Sequence, residues 1–219
     1  MIIFIVEGAS DEETLMPWIE KKLRELNLGV KVKIMTGDKL TRYIENTKNY
    51  DITPQNVRGK IQGMLKEFMN SSNIKADYLK WKDIFKVYYV TDTDNCFQNK
   101  SMHSSNKKEC LKKMFDFETV NIIKNNQSSK KFEIILFSNN LEHVLYGKLE
   151  ELTDEKKEEL SKEFGEKTLK EEWNFKEKFR NSNIKYWDSY MESYKEIQNY
   201  SGRATNITAL IKEIESNFE

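Results

Sequence analysis

The sequence predicts an α/β fold: a mostly parallel four-stranded sheet flanked by helices, with a C-terminal all-helical extension. Three observations support this. Four short apolar runs, Met1 to Val6, Val30 to Met35, Val87 to Val90 and Phe132 to Phe137, have the β-branched and aromatic content of strands. Helical periodicity joins the first two runs, giving a βαβ unit that should cross over right-handed into a parallel sheet. From Lys148 onward no strand pattern recurs, and Glu150 to Arg180 carries 19 charged residues in 31. The implied division is an α/β domain over 1–147 and a helical extension over 148–219 packed on it.

Met1 to Val6 suits a strand covered on both faces, and Glu7 and Gly8 end it. Ser10, with Glu13 three positions on, has capping-box spacing, so a helix is expected from about Asp11 to Leu26. Gly8 is expected to turn the chain without a Cβ clash, leaving Glu7 free at the strand's carboxyl end. Leu15, Trp18, Ile19, Leu23 and Leu26 mark the helix, and Pro17 is a point where it can split. Asn27 and Gly29 close it before the second strand.

Gly37 and Asp38 should open a short helical piece reaching Asn46. Thr53 as N-cap and Pro54 at the first helical position should start another, with Val57, Ile61, Met64, Leu65 and Phe68 as its stripe. Asn70 to Asn73 reads as a loop, and Tyr78 to Phe85 as a short helix at the sheet edge. The third strand, from Lys86, ends in Asp92-Thr93-Asp94. The interval Asn95 to Lys131 holds eight lysines against three acids, with one helix around Leu111, Met114 and Phe115. After the fourth strand, Ser138-Asn139-Asn140 leads into a helix carrying Leu141, Glu142, Val144 and Leu145. Helical stretches around Trp187 to Tyr200 and Asn206 to Phe218, with a turn at Ser201-Gly202, complete the tail.

Lysine plus arginine equals aspartate plus glutamate at 36 each, so any nucleic-acid surface must be local. The two cysteines, Cys96 and Cys110, give neither a disulfide framework nor a zinc spacing. No apolar run approaches a membrane span. A soluble, unexported, cytoplasmic protein is expected.

Glu7 and the Asp92/Asp94 pair end two apolar strands. Residues two apart on a strand point the same way, and neighbouring strands lie roughly 4.8 Å apart. If these strands are neighbours, three carboxylates converge, with Asp11 overlooking them from the first helical turn. Such crowding raises each pKa. A hard divalent cation relieves it, and Mg²⁺ takes a few carboxylates plus water and substrate phosphate. The competing reading leaves these acids as solvated loop residues, with Asp11 simply favouring a helix N-terminus.

A strand ending in Glu7-Gly8, followed later by one ending in Asp92-Thr93-Asp94, resembles the TOPRIM domain, a Rossmann-like fold of topoisomerases, primases, ribosomal-RNA maturases and OLD-type nucleases. The form EGxSD, Glu7 to Asp11, is closest to OLD-type and RloB-like defence proteins. The resemblance covers about residues 1 to 147. It implies an Mg²⁺-dependent (or Mn²⁺-dependent) nuclease, plausible as a phage-defence effector, with Glu7, Asp92 and Asp94 catalytic and Glu7, Asp11, Asp92, Asp94 and Glu142 on the metal. Ser138-Asn139-Asn140-Leu141-Glu142 is similar to the Ser-Asn-Pro-x-Phe-Glu segment of RloB-like proteins, with the Pro missing and the Glu one residue early.

Lys100, Lys107 and Lys108 are candidates for a phosphate track, and Arg203 for a returning phosphate clamp; a solvated loop is the competing reading for the lysines. His143 reads as a packing or surface histidine. Tyr186, Trp187, Tyr190 and Tyr194 fall at helical spacing and read as core. With no Gly-x-x-x-x-Gly-Lys motif, an ATPase would have to come from a partner protein. Two other functions compete: a non-catalytic or partner-activated TOPRIM-like effector subunit, and a glycosyltransferase using Asp92-Thr93-Asp94 as its metal motif, which leaves Glu7-Gly8 without a purpose. A haloacid-dehalogenase-like phosphatase is discounted, because its Asp-x-Asp strand comes first and Cys96 stands where its Thr belongs.

Overall fold

The computed structural model describes residues 1–35, 37–122, 129–147 and 152–218. Strand β1 (Ile2–Val6), helix α1 (Ala9–Glu25) and β2 (Val30–Ile34) form the opening unit. A hairpin, β3 (Tyr43–Ile44) and β4 (Asn49–Tyr50), precedes α2 (Val57–Met69) and α3 (Ser72–Ala76). Then come β5 (Lys86–Asp92), α4 (Met102–Phe115), β6 (Thr119–Val120), β7 (Lys130–Phe137) and α5 (Leu141–Tyr146). The C-terminal segment holds α6 (Asp154–Leu169), α7 (Phe175–Phe179), β8 (Lys185–Tyr186), α8 (Tyr190–Glu196), β9 (Ala204–Thr205) and α9 (Ile207–Glu215).

The protein is α/β, with a mostly parallel central sheet flanked by helices. Strands β2, β1, β5 and β7 lie side by side in that order, all parallel. All five residues of β1 are fully buried, as a central parallel strand requires, and Phe4 stacks on Tyr88 of β5 with centroids 4.9 Å apart. The order reverses between β1 and β5. In such sheets the crevice at this switch point, beyond the strands' carboxyl ends, is where ligands bind.

Several expectations are corrected. Among the described residues the sheet has seven strands, not four, and the C-terminal segment is not all helical. Strand β9 pairs antiparallel with β7 at Phe137 and Thr205, and β8 pairs with β9. The pairing is short because side chains complete it. Asn206 accepts from Leu136 N–H at 2.7 Å and donates to Ile134 C=O at 2.9 Å, while Tyr194 Oη accepts from Ile134 N–H at 2.7 Å. These groups satisfy the backbone along the outer edge of β7, which would otherwise be buried without partners.

The piece after Asp38 is a β-hairpin, not a helix. Helix α2 starts at Val57, because Asn56, not Thr53, is its N-cap; the Asn56 side chain accepts from Thr53 N–H at 2.8 Å instead. The stretch expected as a loop at Asn70 to Asn73 contains the start of α3, and Tyr78 to Phe85 holds only a 3-10 turn, Trp81–Asp83. Helix α1 begins at Ala9 with Gly8 as N-cap, so Ser10 is already helical.

Pro17 does not split α1. Lacking an N–H, it leaves the Glu13 carbonyl without its usual helical donor. Gly165 of α6 approaches that carbonyl so closely that a Cβ there would lie 2.2 Å from the Glu13 oxygen. Helices α1 and α6 are thereby joined at their backbones.

Candidate active site

Strands β1 and β5 are direct neighbours in a register that pairs Ile5 with Tyr89. Two residues further along, Glu7 and Thr91 meet, and the Thr91 hydroxyl donates to Glu7 Oε1. Asp92 closes β5, and the chain then turns through Asp94 and Asn95, both left-handed at φ 46° and 52°. Asn and Asp are among the few side chains that tolerate this region. The turn is fixed from the neighbouring strand: Thr93 N–H donates to Phe137 C=O and Asp94 N–H to Asn139 C=O, both at 2.8 Å. Asp11, in the first turn of α1, accepts from Gly8 N–H at 3.1 Å. Gly8 itself is extended at φ −146°, and a Cβ there would meet nothing closer than 3.8 Å, so the steric role expected of this glycine is not seen.

Two residues that the sequence reading did not place here complete the cluster. Asp38 follows β2, whose carboxyl end opens on the same edge of the sheet. Lys107 of α4 is fully buried, with Nζ 2.6 Å from Asp94 Oδ2, 2.9 Å from Asp38 Oδ2 and 3.8 Å from Glu7 Oε1. Expected on an exposed phosphate track, it is instead the internal counter-ion of the acids. A signal was present: Lys107 shares the stripe of Cys110, Leu111 and Met114, at offsets of three, four and seven, and all of these are buried.

The cluster sets one ammonium against five carboxyl groups, and their burial and crowding favour the protonated form of several of them. Burial pushes the Glu7 carboxyl up to about 8, with Asp38 and Asp11 adding to the rise while Lys107 and Thr91 oppose it. Burial and Glu142 carry Asp11 up to about 6. Asp92 lies well above the usual carboxylate range through burial, then through Asp11, Glu7 and Asp94. Burial disfavours the Lys107 ammonium, but Glu7, Asp38 and Asp94 outweigh it and hold the group charged.

These donors are chemically those of a hard-cation site: carboxyl oxygens whose ionised form a bound cation would favour. Among the described residues, however, no three such side chains are grouped tightly enough to hold a metal ion, and Lys107 stands between Asp94 and Asp38. No family model, curated protein or solved structure matches the chain.

The other expected residues are distributed as follows. Glu142, in the first turn of α5, is near enough to Asp11 to help raise its carboxyl. Ser138 ties down the C-terminal segment, its Oγ accepting from Ala204 N–H at 2.6 Å. His143 is buried with Nδ1 3.3 Å from Ser138 C=O. Arg203 does not reach the acids; its guanidinium donates to Val144 C=O at 2.6 Å and Leu145 C=O at 3.1 Å, capping α5. Lys100 is exposed and Lys108 half-buried. Lys124 lies outside the described residues. Tyr190 and Tyr194 lie on α8 and are buried as expected, whereas Tyr186 belongs to β8 and is exposed, and Trp187 is buried outside any helix. Both cysteines are free and buried, with burial raising each thiol to about 12.

Proposed function

We propose that the chain is a metal-dependent nuclease of TOPRIM type, with Mg²⁺ or Mn²⁺ held by Glu7, Asp92 and Asp94, and with Asp11 and Glu142 beside them. The observation that carries this reading is the meeting of Glu7 with the Asp92 turn at the β1/β5 switch point, where burial and mutual repulsion raise the carboxyl groups. The family resemblance of Glu7-Gly8 and Asp92-Thr93-Asp94 supports it. When bound, the ion would polarise a phosphodiester and lower the barrier to attack by water.

The chain's own groups supply the rest. As an alternative to holding the ion, Glu7, hydrogen-bonded to Thr91 and with its carboxyl pushed up to about 8 by burial, is suited to give or take a proton. Lys107 fixes the Asp94 carboxylate, its own charge being engaged by Asp94, Asp38 and Glu7. The biological setting proposed is phage defence, with an ATPase supplied by a partner.

A second reading, a partner-activated or non-catalytic subunit, is favoured by one observation: Lys107 already sits on two of the acids. In this reading the partner must move Lys107 before the cluster acts.

The test incubates purified protein with plasmid DNA, single-stranded DNA and tRNA in Mg²⁺ or Mn²⁺, beside EDTA and an Asp92→Ala/Asp94→Ala control. Cleavage lost in both controls is the expected result. Cleavage that survives the double substitution overturns the proposal; no cleavage together with intact metal binding favours the partner-dependent subunit.

A further inference from the structure

The hairpin beside the acidic cluster carries a group of aromatic rings that the site chemistry leaves unused. Tyr43 of β3 and Tyr50 of β4 face each other edge to face, with centroids 5.3 Å apart at 75°. His103 of α4 closes the group, 6.4 Å from Tyr43 and 5.7 Å from Tyr50, with Nδ1 hydrogen-bonded to Tyr50 Oη at 3.1 Å. His103 is exposed and both tyrosines are half-buried, so the group lies at the surface and not in the core.

The platform is tied to the acids on two sides. His103 and Lys107 are four residues apart on α4, one turn or about 6 Å along the axis. Asp38, which holds Lys107, also accepts from Leu40 N–H at 2.7 Å and Thr41 Oγ1 at 2.9 Å at the root of the hairpin. Asn106 donates to Leu40 C=O at 2.6 Å and Ile52 C=O at 2.9 Å, fixing both ends of the hairpin segment to α4. The rings are thus held at a fixed position relative to the cluster.

Charge on the segment points to the ligand. Lys39, Arg42 and Lys48 interleave with the two tyrosines against Glu45, and Asp51 at its end is engaged by Lys60 at 2.7 Å. Cations along a backbone track beside aromatic faces are the combination that binds single-stranded nucleic acid, because every base offers a ring face and every link a phosphate.

We infer that Tyr43, Tyr50 and His103 form a stacking platform for an unpaired base, presenting single-stranded nucleic acid to the acidic cluster. This rests on the nuclease reading for its purpose but is measured without cleavage. Labelled oligothymidylate, oligouridylate and a duplex are titrated by fluorescence anisotropy in EDTA. The unaltered protein should bind the single strands more tightly than the duplex, and the two single strands report whether the sugar matters. A Tyr43→Leu/His103→Ala variant should bind single strands about tenfold more weakly, whereas Tyr43→Phe/Tyr50→Phe, which keeps the rings, should retain affinity.

A second measurement needs no substitution. Photocrosslinking of an iodouridine-containing strand to the unaltered protein should map to Tyr43, Tyr50 or His103. Equal affinities across the variants, tighter binding of the duplex, or crosslinks confined to other residues would overturn the platform. Duplex cleavage that ignores these variants would overturn it while leaving the nuclease reading intact, and ring-dependent single-strand binding without cleavage would do the reverse.

Discussion

Lys107 is the residue on which the electrostatics of this chain turn. Its ammonium has no solvent around it, and its partners Asp94, Asp38 and Glu7 come from three separate segments. Removing one member of a buried ionic group strands the others, at a cost of about 3–5 kcal/mol. Asp94, the nearest partner, is half exposed and can regain water, so Lys107→Met should lower stability by less than that full amount in EDTA, and excess Mn²⁺ should recover part of it by replacing the lost positive charge; melting curves with and without the ion check both. The same carboxylates set a pH dependence. Glu7 and Asp11 are pushed up to about 8 and about 6, and Asp92 rises too, so across that range the folded chain holds protons the unfolded chain has released. Stability must then fall as pH rises through this window. Urea midpoints in EDTA should be lower at about pH 9 than at about pH 5, and a divalent cation should reduce the difference because it favours the ionised carboxylates.

Among the elements, two junctions support the sheet edge from behind. At the contact of α1 and α6, replacing an exposed helical glycine by alanine would gain up to about 1 kcal/mol in helix propensity. Gly165 is not such a site, since its Cβ would fall 2.2 Å from the Glu13 carbonyl oxygen, on backbone that cannot turn aside. Overpacking typically costs about 1–3 kcal/mol, so Gly165→Ala should be destabilising, as read from its denaturation midpoint. At the outer edge of β7, Asn206→Leu would remove the partner of Leu136 N–H and the nearer donor to Ile134 C=O, which keeps only Tyr194 Oη at 3.5 Å. Stranding each buried group costs about 1–3 kcal/mol, and amide exchange at Leu136 should accelerate. Neither junction was legible in the sequence. The four long strands were, because each is a run of buried apolar residues, but β8 and β9 are two residues each and depend on side chains of Asn206 and Tyr194 that no local pattern announces. The hairpin at Tyr43–Tyr50 was missed for a related reason: Lys48 at its left-handed turn, φ 49°, carries none of the Gly or Asn signal such turns usually show.

At the scale of the whole molecule, the parallel order β2-β1-β5-β7 brings the carboxyl ends of strands far apart in sequence to one edge. Glu7, Asp92 and Asp94 were legible because each lies within four residues of the end of an apolar run, and Asp11 because it falls one helical turn after Glu7. Asp38 obeys the same rule after β2, but Gly37-Asp38 carries the pattern of a helix start as well. Lys107 was hidden among the lysines of a basic interval, where only its place on the apolar stripe of α4 separates it from solvated neighbours. The edge of the sheet is therefore a crowded set of carboxyl groups around one lysine, and the proposed divalent ion would take the place of the protons they hold. Direct titration of Mn²⁺, followed by electron paramagnetic resonance in the unaltered protein and in Glu7→Gln and Asp92→Asn/Asp94→Asn variants, tests this at its root. The expected result is saturable binding by the unaltered chain that both variants lose while keeping their fold; binding of equal strength in all three, or none in any, would contradict a metal centre at the β1/β5 edge.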